Sequence, residues 1–285
     1  MRGTKMLHQL VGLSLLLFVP IQAFASEKVD PPKQYEAAVK TLDGFIAKEV
    51  ADKELPALSI ALVDDQTIVW AKGFGFANQE AKRAATAETV YRVGSVSKLF
   101  TDIAVMQQVE RGTLDLDAPV RKYLPDFKPI SKWDKPITLR QLMTHRSGLV
   151  RESPVGNYFD DTNPSLAKTV ESLNKTELVY EPETKTKYSN AAIATVGLVV
   201  QVTKEEAFPR YLNRTLLGPL GMKKTGFEPF PELTKDLAKA TMWTYAGREF
   251  PAPTFELGIS PAGCMYTTVN DLGRFLSVLF ADGKG

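Results

Sequence analysis

An α+β domain is expected from this 285-residue sequence, because one helical stretch and two short β-rich runs come first and helical patterns fill most of the rest. Two further observations agree. Hydrophobic residues make up 44% of the chain, enough for one large packed core, and strand signals almost vanish after residue 80. The two β-rich runs are therefore the clearly readable strands of an antiparallel sheet flanked by helices, with a helical lobe over roughly 96–240.

In chain order, Arg2 and Lys5 precede the apolar run Leu10 to Phe18, and Ala23-Phe24-Ala25 supplies an A-x-A cleavage pattern. Residues 1–25 read as a secretory signal peptide and 26–285 as the domain, which predicts a periplasmic or secreted protein. The run is shorter than the about 20 residues a spanning helix takes, so no membrane span is expected in the mature chain. Gln34 to Val50 then has helical apolar spacing at Ala37, Val39, Leu42, Phe45 and Ile46. Ala57 to Val63 and Thr67 to Gly73 flank Asp64-Asp65-Gln66 and read as a β-hairpin.

Further on, Ser95 to Arg111 repeats apolar residues at helical spacing (Val96, Leu99, Phe100, Ile103, Met106, Val109) before the stop Gly112. Thr138 and Gln141 stand in capping-box register at the start of a short helix ending near His145. Ala191 to Thr203 is apolar almost all round and must lie in the core. Thr268 to Phe280 is one more amphipathic helix, followed by the loop-like Ala281 to Gly285. A two-stranded hairpin is marginal alone, so helices must cover it or further strands must complete its sheet.

Charge and cysteine usage exclude several function classes. The formal net charge of +2 falls to zero once Arg2 and Lys5 leave, and no Lys/Arg block offers a footprint for nucleic acid. Cys264 is the lone cysteine, so neither an intramolecular disulfide nor a thiolate metal cluster can form. With one histidine left in the mature chain, metal-dependent hydrolysis is disfavoured. The expectation is a monomer with no cofactor and no metal, acting on small molecules or peptidoglycan-derived material.

Ser95-Val96-Ser97-Lys98 matches S-x-x-K. Ser165-Leu166-Ala167-Lys168 and Ser172-Leu173-Asn174-Lys175 match as well, but only Ser95 follows a glycine and opens a helix. As a plain helix cap, Ser95 should be followed three residues later by Glu or Gln; instead Lys98 puts a cation at the positive end of a helix. A solvated pair with Asp102 would be worth only a few tenths of a kcal/mol and does not account for that placement. Chemistry does, because a lysine one turn from a serine can take its proton, and the helix end favours negative charge on an attacked carbonyl. Tyr188-Ser189-Asn190 is a Y-x-N triplet before the apolar helix, where Asn190 is either a helix cap or a substrate contact. Tyr211-Leu212-Asn213 repeats the pattern inside a later amphipathic stretch.

The ordered blocks Thr89 to Lys98, Gly112 to Asp117, Leu142 to Leu149, Tyr188 to Asn190, Pro219 to Met222 and Pro261 to Gly263 resemble the β-lactamase-related family close to class C β-lactamases and penicillin-binding proteins. The resemblance runs from about residue 35 to the end. It implies a β-lactamase/DD-peptidase-like fold with the active site between a mixed lobe and a helical lobe. It also implies that Ser95 is the acylated nucleophile, Lys98 its activating partner, Tyr188 the proton relay to the leaving group and Asn190 a substrate contact. β-Lactam or D-alanyl-type amides are the implied substrates; a carboxylesterase of the same fold and a non-turnover penicillin-binding sensor are the alternatives. Two departures stand out. Cys264 occupies a position where glycine is common and is expected to be a packed thiol. The third family element, K-T-G or H-x-G, is expected beyond Gly285, with Lys224-Thr225-Gly226 a turn that only spells it; by that reading the 285-residue chain is incomplete and inactive alone.

Readings from other classes fit less well. The nearest match to the G-x-S-x-G of an α/β-hydrolase, Gly258-Ile259-Ser260-Pro261-Ala262, lacks the final glycine and a preceding strand. A Ser-His-Asp triad would have to use His145, which sits where a helix C-terminus favours a cation.

Overall fold

A computed structural model describes residues 31–252 and 256–284, so the signal-peptide reading of residues 1–25 lies outside the described residues. Helix α1 spans Glu36–Asp52 and is followed by β1, Ala57–Asp64, and β2, Thr67–Asn78. The strands pair antiparallel from Asp64↔Thr67 to Ala57↔Gly75. The tight reversal is made by Asp65 at φ 49°, a left-handed conformation that aspartate tolerates better than most residues. Val39 and Ile46 of α1 bury against Trp70 and Phe74 of β2, so one helix covers one face of the hairpin as required.

β2 runs five residues beyond the predicted Gly73 and gains a third strand, β3, Arg83–Ala84, at its outer edge. Beyond it come β4, Tyr91–Arg92, and α2, Ser97–Glu110. The helical lobe then adds α3 (Leu139–Met143), α4 (Leu166–Ser172), α5 (Asn190–Lys204), α6 (Phe208–Leu212) and α7 (Pro231–Thr234). A hairpin of β5, Thr241–Trp243, and β6, Glu249–Pro251, precedes the short α8, Ser260–Gly263, then β7, Tyr266–Thr267, and α9, Val269–Phe280. The strands after residue 80 hold two or three residues each, too few to carry a period-2 signal. Among the described residues no helix is long and apolar enough to cross a membrane.

The main core is organised by α5, whose residues from Asn190 to Val200 are all buried. Helices α2, α3, α4, α6 and α8 all pack against it, and α9 packs against β1 and β2 while its Phe275 reaches Phe100 of α2, 4.7 Å between ring centroids. The predicted α3 capping box is present, with the Gln141 amide donating to Thr138 Oγ1 and the Thr138 amide donating to Gln141 Oε1. Half of the expected apolar stripe of α2 faces the core, with Phe100 buried and Ile103 and Val109 packed against it. Val96, Leu99 and Met106 are exposed, while Ser97, Lys98, Phe100, Thr101, Ala104, Val105 and Gln108 are buried. Small and polar residues win this face because their hydroxyls find backbone partners: the Met265 amide donates to Ser97 Oγ, and Thr101 Oγ1 donates to the Pro261 carbonyl.

Candidate active site

β4 and β7 pair through Tyr91↔Thr267 and Arg92↔Tyr266, and the Val93 amide donates to the Met265 carbonyl. The chain then turns through Gly94 at φ 53° into a 3₁₀ turn over Gly94–Val96 that runs straight into α2. Ser95 lies exposed on this turn at the N-terminal end of α2, and its hydroxyl makes no capping bond. It faces Tyr188 instead, with 2.5 Å between the two hydroxyl oxygens. Lys98, one turn on and only 8% exposed, donates to Ser95 Oγ at 3.1 Å and to the Ala262 carbonyl at 2.5 Å. Asp102 is not its partner: the lysine turns the other way along the helix, and Asp102 Oδ1 is buried without a hydrogen bond.

Tyr188 is held by its surroundings. The His145 ring packs on it at 4.6 Å between centroids, Lys98 Nζ stands 4.8 Å from its centroid, and the Arg151 guanidinium 5.2 Å away. Burial by itself raises the phenol's pKa, but Lys98, the hydrogen bond with Ser95 and the charge of Arg151 outweigh it, so the pKa lies below the ordinary tyrosine value. His145 follows α3 at φ 59°. Burial first, and Lys98 second, push its pKa down, and Nδ1 accepts the Ser189 amide at 3.3 Å. The cation expected at that helix end is disfavoured, because the ring turns inward against Tyr188 and loses solvent.

Ser189, not Asn190, caps α5, accepting the Ala192 amide at 2.9 Å and donating to the Val150 carbonyl. Asn190 is the first helical residue and is 1% exposed. Its amide nitrogen donates to Glu152 Oε1 at 2.7 Å. Neither Arg151, Glu152 nor the Ala262 carbonyl stands out in the sequence as part of a site. The Pro261-Ala262-Gly263 block signals the last of these only indirectly, and nothing in local spacing signals the others.

The decoys are accounted for by structure. Ser165 caps α4 through the Lys168 amide and Ser172 lies buried inside that helix. Tyr211 is buried and its hydroxyl accepts from Gln108. In the K-T-G look-alike, Lys224 is tied to Asp236 at 2.9 Å and Glu88 at 3.1 Å, while Thr225 bonds Thr267 and Asp271. Cys264 is fully buried, its thiol pKa pushed up chiefly by that burial. Ser260 bonds the Phe227 carbonyl.

A serine hydroxyl bracketed by a buried lysine and a tyrosine at a helix N-terminus is the arrangement that marks the class of β-lactamases and penicillin-binding proteins. The chain belongs to the β-lactamase family: the family's model matches residues 42–285. Beta-lactamase-like protein 2 of Dictyostelium discoideum is 31% identical over 257 residues, covering 87% of this chain and 46% of that protein. Protein flp of Staphylococcus aureus (strain N315) is 25% identical over 82% of this chain and 47% of its own length. This chain thus spans about half the length of these relatives. The octameric penicillin-binding protein homologue from Pyrococcus abyssi superposes with a TM-score of 0.76 at 30% identity, over 86% of this chain and 57% of that one. EstCE1, a hydrolase with promiscuous acyltransferase activity, shares the fold with a TM-score of 0.74 at 23% identity, over 87% of this chain and 74% of that one. The family is one of hydrolases, and the α+β fold with its small antiparallel sheets is that of the family.

Proposed function

We propose that the protein is a serine hydrolase that works through an acyl-enzyme on Ser95. The observation that carries this reading is the pair of contacts to one oxygen: Lys98 Nζ at 3.1 Å and the Tyr188 hydroxyl at 2.5 Å from Ser95 Oγ. Ser95 Oγ attacks the carbonyl carbon of an amide or ester, and its proton passes to Lys98 or Tyr188. The positive end of α2 stabilises the oxyanion that forms. The carbonyl-to-leaving-group bond then breaks, Tyr188 supplies the proton that the leaving nitrogen or oxygen needs, and an ester on Ser95 remains. Water adds to that ester, the acid departs and the proton returns to Ser95. Asn190 orients the substrate.

The substrates proposed are β-lactam or D-alanyl-type amides, met outside the cytoplasmic membrane after removal of residues 1–25 and by a monomer. N-terminal sequencing of the mature protein and light scattering check the last two points.

A fluorescent penicillin or fluorophosphonate should label the protein at Ser95. Ser95→Ala should abolish labelling, while Ser165→Ala and Ser172→Ala leave it intact; labelling that survives Ser95→Ala removes the assignment. Turnover of nitrocefin, a D-Ala-D-Ala peptide and p-nitrophenyl esters then separates β-lactamase, carboxypeptidase and esterase. A label that forms and stays on indicates a sensor.

A further inference from the structure

A cavity of about 690 Å³ lies between the β2–β3 end of the sheet and the β5–β6 hairpin. None of Ser95, Lys98, Tyr188 and Asn190 lines it. Its size is that of a small-molecule site, which spans roughly 300–1,000 Å³. The space exists because Ala238, Ala240 and Ala252 line it and carry no bulk to fill it. Backbone bonds hold these small residues in place. The Ala238 amide donates to the Val90 carbonyl at 2.9 Å, the Lys239 amide to the Ala77 carbonyl at 2.7 Å and the Ala252 amide to the Ala240 carbonyl at 2.9 Å.

Two kinds of side chain share this space. Phe76 and Phe250 line it while 43% and 39% exposed, so a ligand that covers both rings removes apolar surface from water. The polar groups are mostly donors. Arg83 donates to the Leu237 carbonyl at 2.6 Å, which leaves most of its guanidinium fork unused. Among the described residues neither Arg83 nor Lys235 has an ion-pair partner. Asn78 Oδ1 accepts the Ala81 amide at 3.1 Å, so the NH₂ of Asn78 is left as a further donor. Lys239 is paired with Glu80 at 2.6 Å, and Glu249 is the other carboxylate on the wall among the described residues. With that pair set aside, two cations face one carboxylate, which suits a monoanion better than a dianion or a cation.

We propose that this cavity is a second ligand site, for a carboxylate that carries an aromatic body. The ring of the ligand lies against Phe76 and Phe250, the carboxylate meets the Arg83 fork, and Lys235 adds charge. A planar guanidinium pairs with a carboxylate through two parallel N–H donors, which fixes orientation as well as sign. The proposal does not depend on the chemistry at Ser95.

Its test is the binding of phenylacetate, the neutral phenylacetamide and the cation phenethylamine to the full chain, followed by saturation-transfer NMR titration. Phenylacetate should bind at about 10-fold lower concentration than phenylacetamide, the difference between charge-assisted and neutral hydrogen bonds, and phenethylamine should bind least. Arg83→Gln should bring the acid and the amide within about threefold of each other. Phe250→Ala should weaken both alike, by about 10-fold. Lys235→Gln removes an exposed side chain that bonds nothing among the described residues, so folding is not at stake; it should weaken the acid by about threefold and leave the amide unchanged. Equal affinity of acid and amide for the unaltered protein overturns the proposal, as does a preference for the acid that survives both Arg83→Gln and Lys235→Gln.

Discussion

Tyr188 is the side chain on which most of the site's interactions converge. It bonds the Ser95 hydroxyl, carries the cations of Lys98 and Arg151 near its ring and packs on His145. Because those charges outweigh burial, its phenol should ionise below pH 10, and if the phenolate is the base the rate rises with pH through that ionisation. The limb should be missing from the kcat/KM profile of Tyr188→Phe; a profile of unchanged shape would assign the ionisation elsewhere. Lys98→Ala and Tyr188→Phe should each lower hydrolysis by about 10²–10⁴-fold, the usual worth of a general acid or base. His145→Ala should keep activity within about tenfold, since its Nδ1 is occupied by a backbone amide and it only supports the ring. A dead His145→Ala enzyme with intact folding would make a triad the better account. Ser95, Lys98 and Tyr188 were legible in the sequence because one-turn spacing and block order bring them forward. Glu152 was not, since its bond to Asn190 joins positions 38 residues apart through an irregular loop.

Among the elements, α2 departs most from what its sequence suggests. Apolar periodicity points to Val96, Leu99, Phe100, Ile103, Met106 and Val109; Phe100 is buried and Ile103 and Val109 pack on the core, yet Val96, Leu99 and Met106 face outward while Ser97, Thr101 and Ala104 are buried. Periodicity is blind to serine and threonine whose hydroxyls are satisfied by backbone, and α2 uses both. By contrast α5 and the β1–β2 hairpin were legible, the first because every face is apolar, the second because its turn chemistry is local. Asp102 shows the cost of α2's arrangement. Burial raises its pKa to about 7, against a partial opposing effect of Lys98. Between its ordinary value and pH 7 the folded chain binds the extra proton, so Asp102 makes stability fall as pH rises through that window and stay low above it. Asp102→Asn should therefore leave stability near pH 4 almost unchanged and raise it at pH 8, by as much as about 4 kcal/mol. Denaturant melts at the two pH values check this; equal shifts at both would mean that Asp102 is ionised throughout.

In the whole molecule, three distant segments supply the chemistry and the core sets their spacing. Residues 94–98 enter α2, 188–190 enter α5, and the turn at α8 presents the Ala262 carbonyl that holds Lys98. At Gly197 α5 lies close against α8, since an added Cβ would lie 2.1 Å from Pro261 Cγ and 2.5 Å from its Cβ. Gly197 is about two turns beyond Asn190 along α5 and touches no substrate position. Even so, Gly197→Ala must push Pro261, whose carbonyl holds Thr101 and whose neighbour Ala262 holds Lys98. Overpacking of this kind costs about 1–3 kcal/mol. A shift of about 1 Å in the lysine's anchor should lower kcat by roughly 10²-fold. Gly44→Ala is the control. It sits in α1 with open space around the added methyl, so it should stabilise the helix by roughly 0.5–1 kcal/mol and leave the rate alone. Measuring melting temperature and kcat for both variants separates a general effect of losing a helical glycine from a displaced α8. Full activity in Gly197→Ala would mean that α8 yields without moving the Ala262 carbonyl, and that the lysine is positioned by α2 alone.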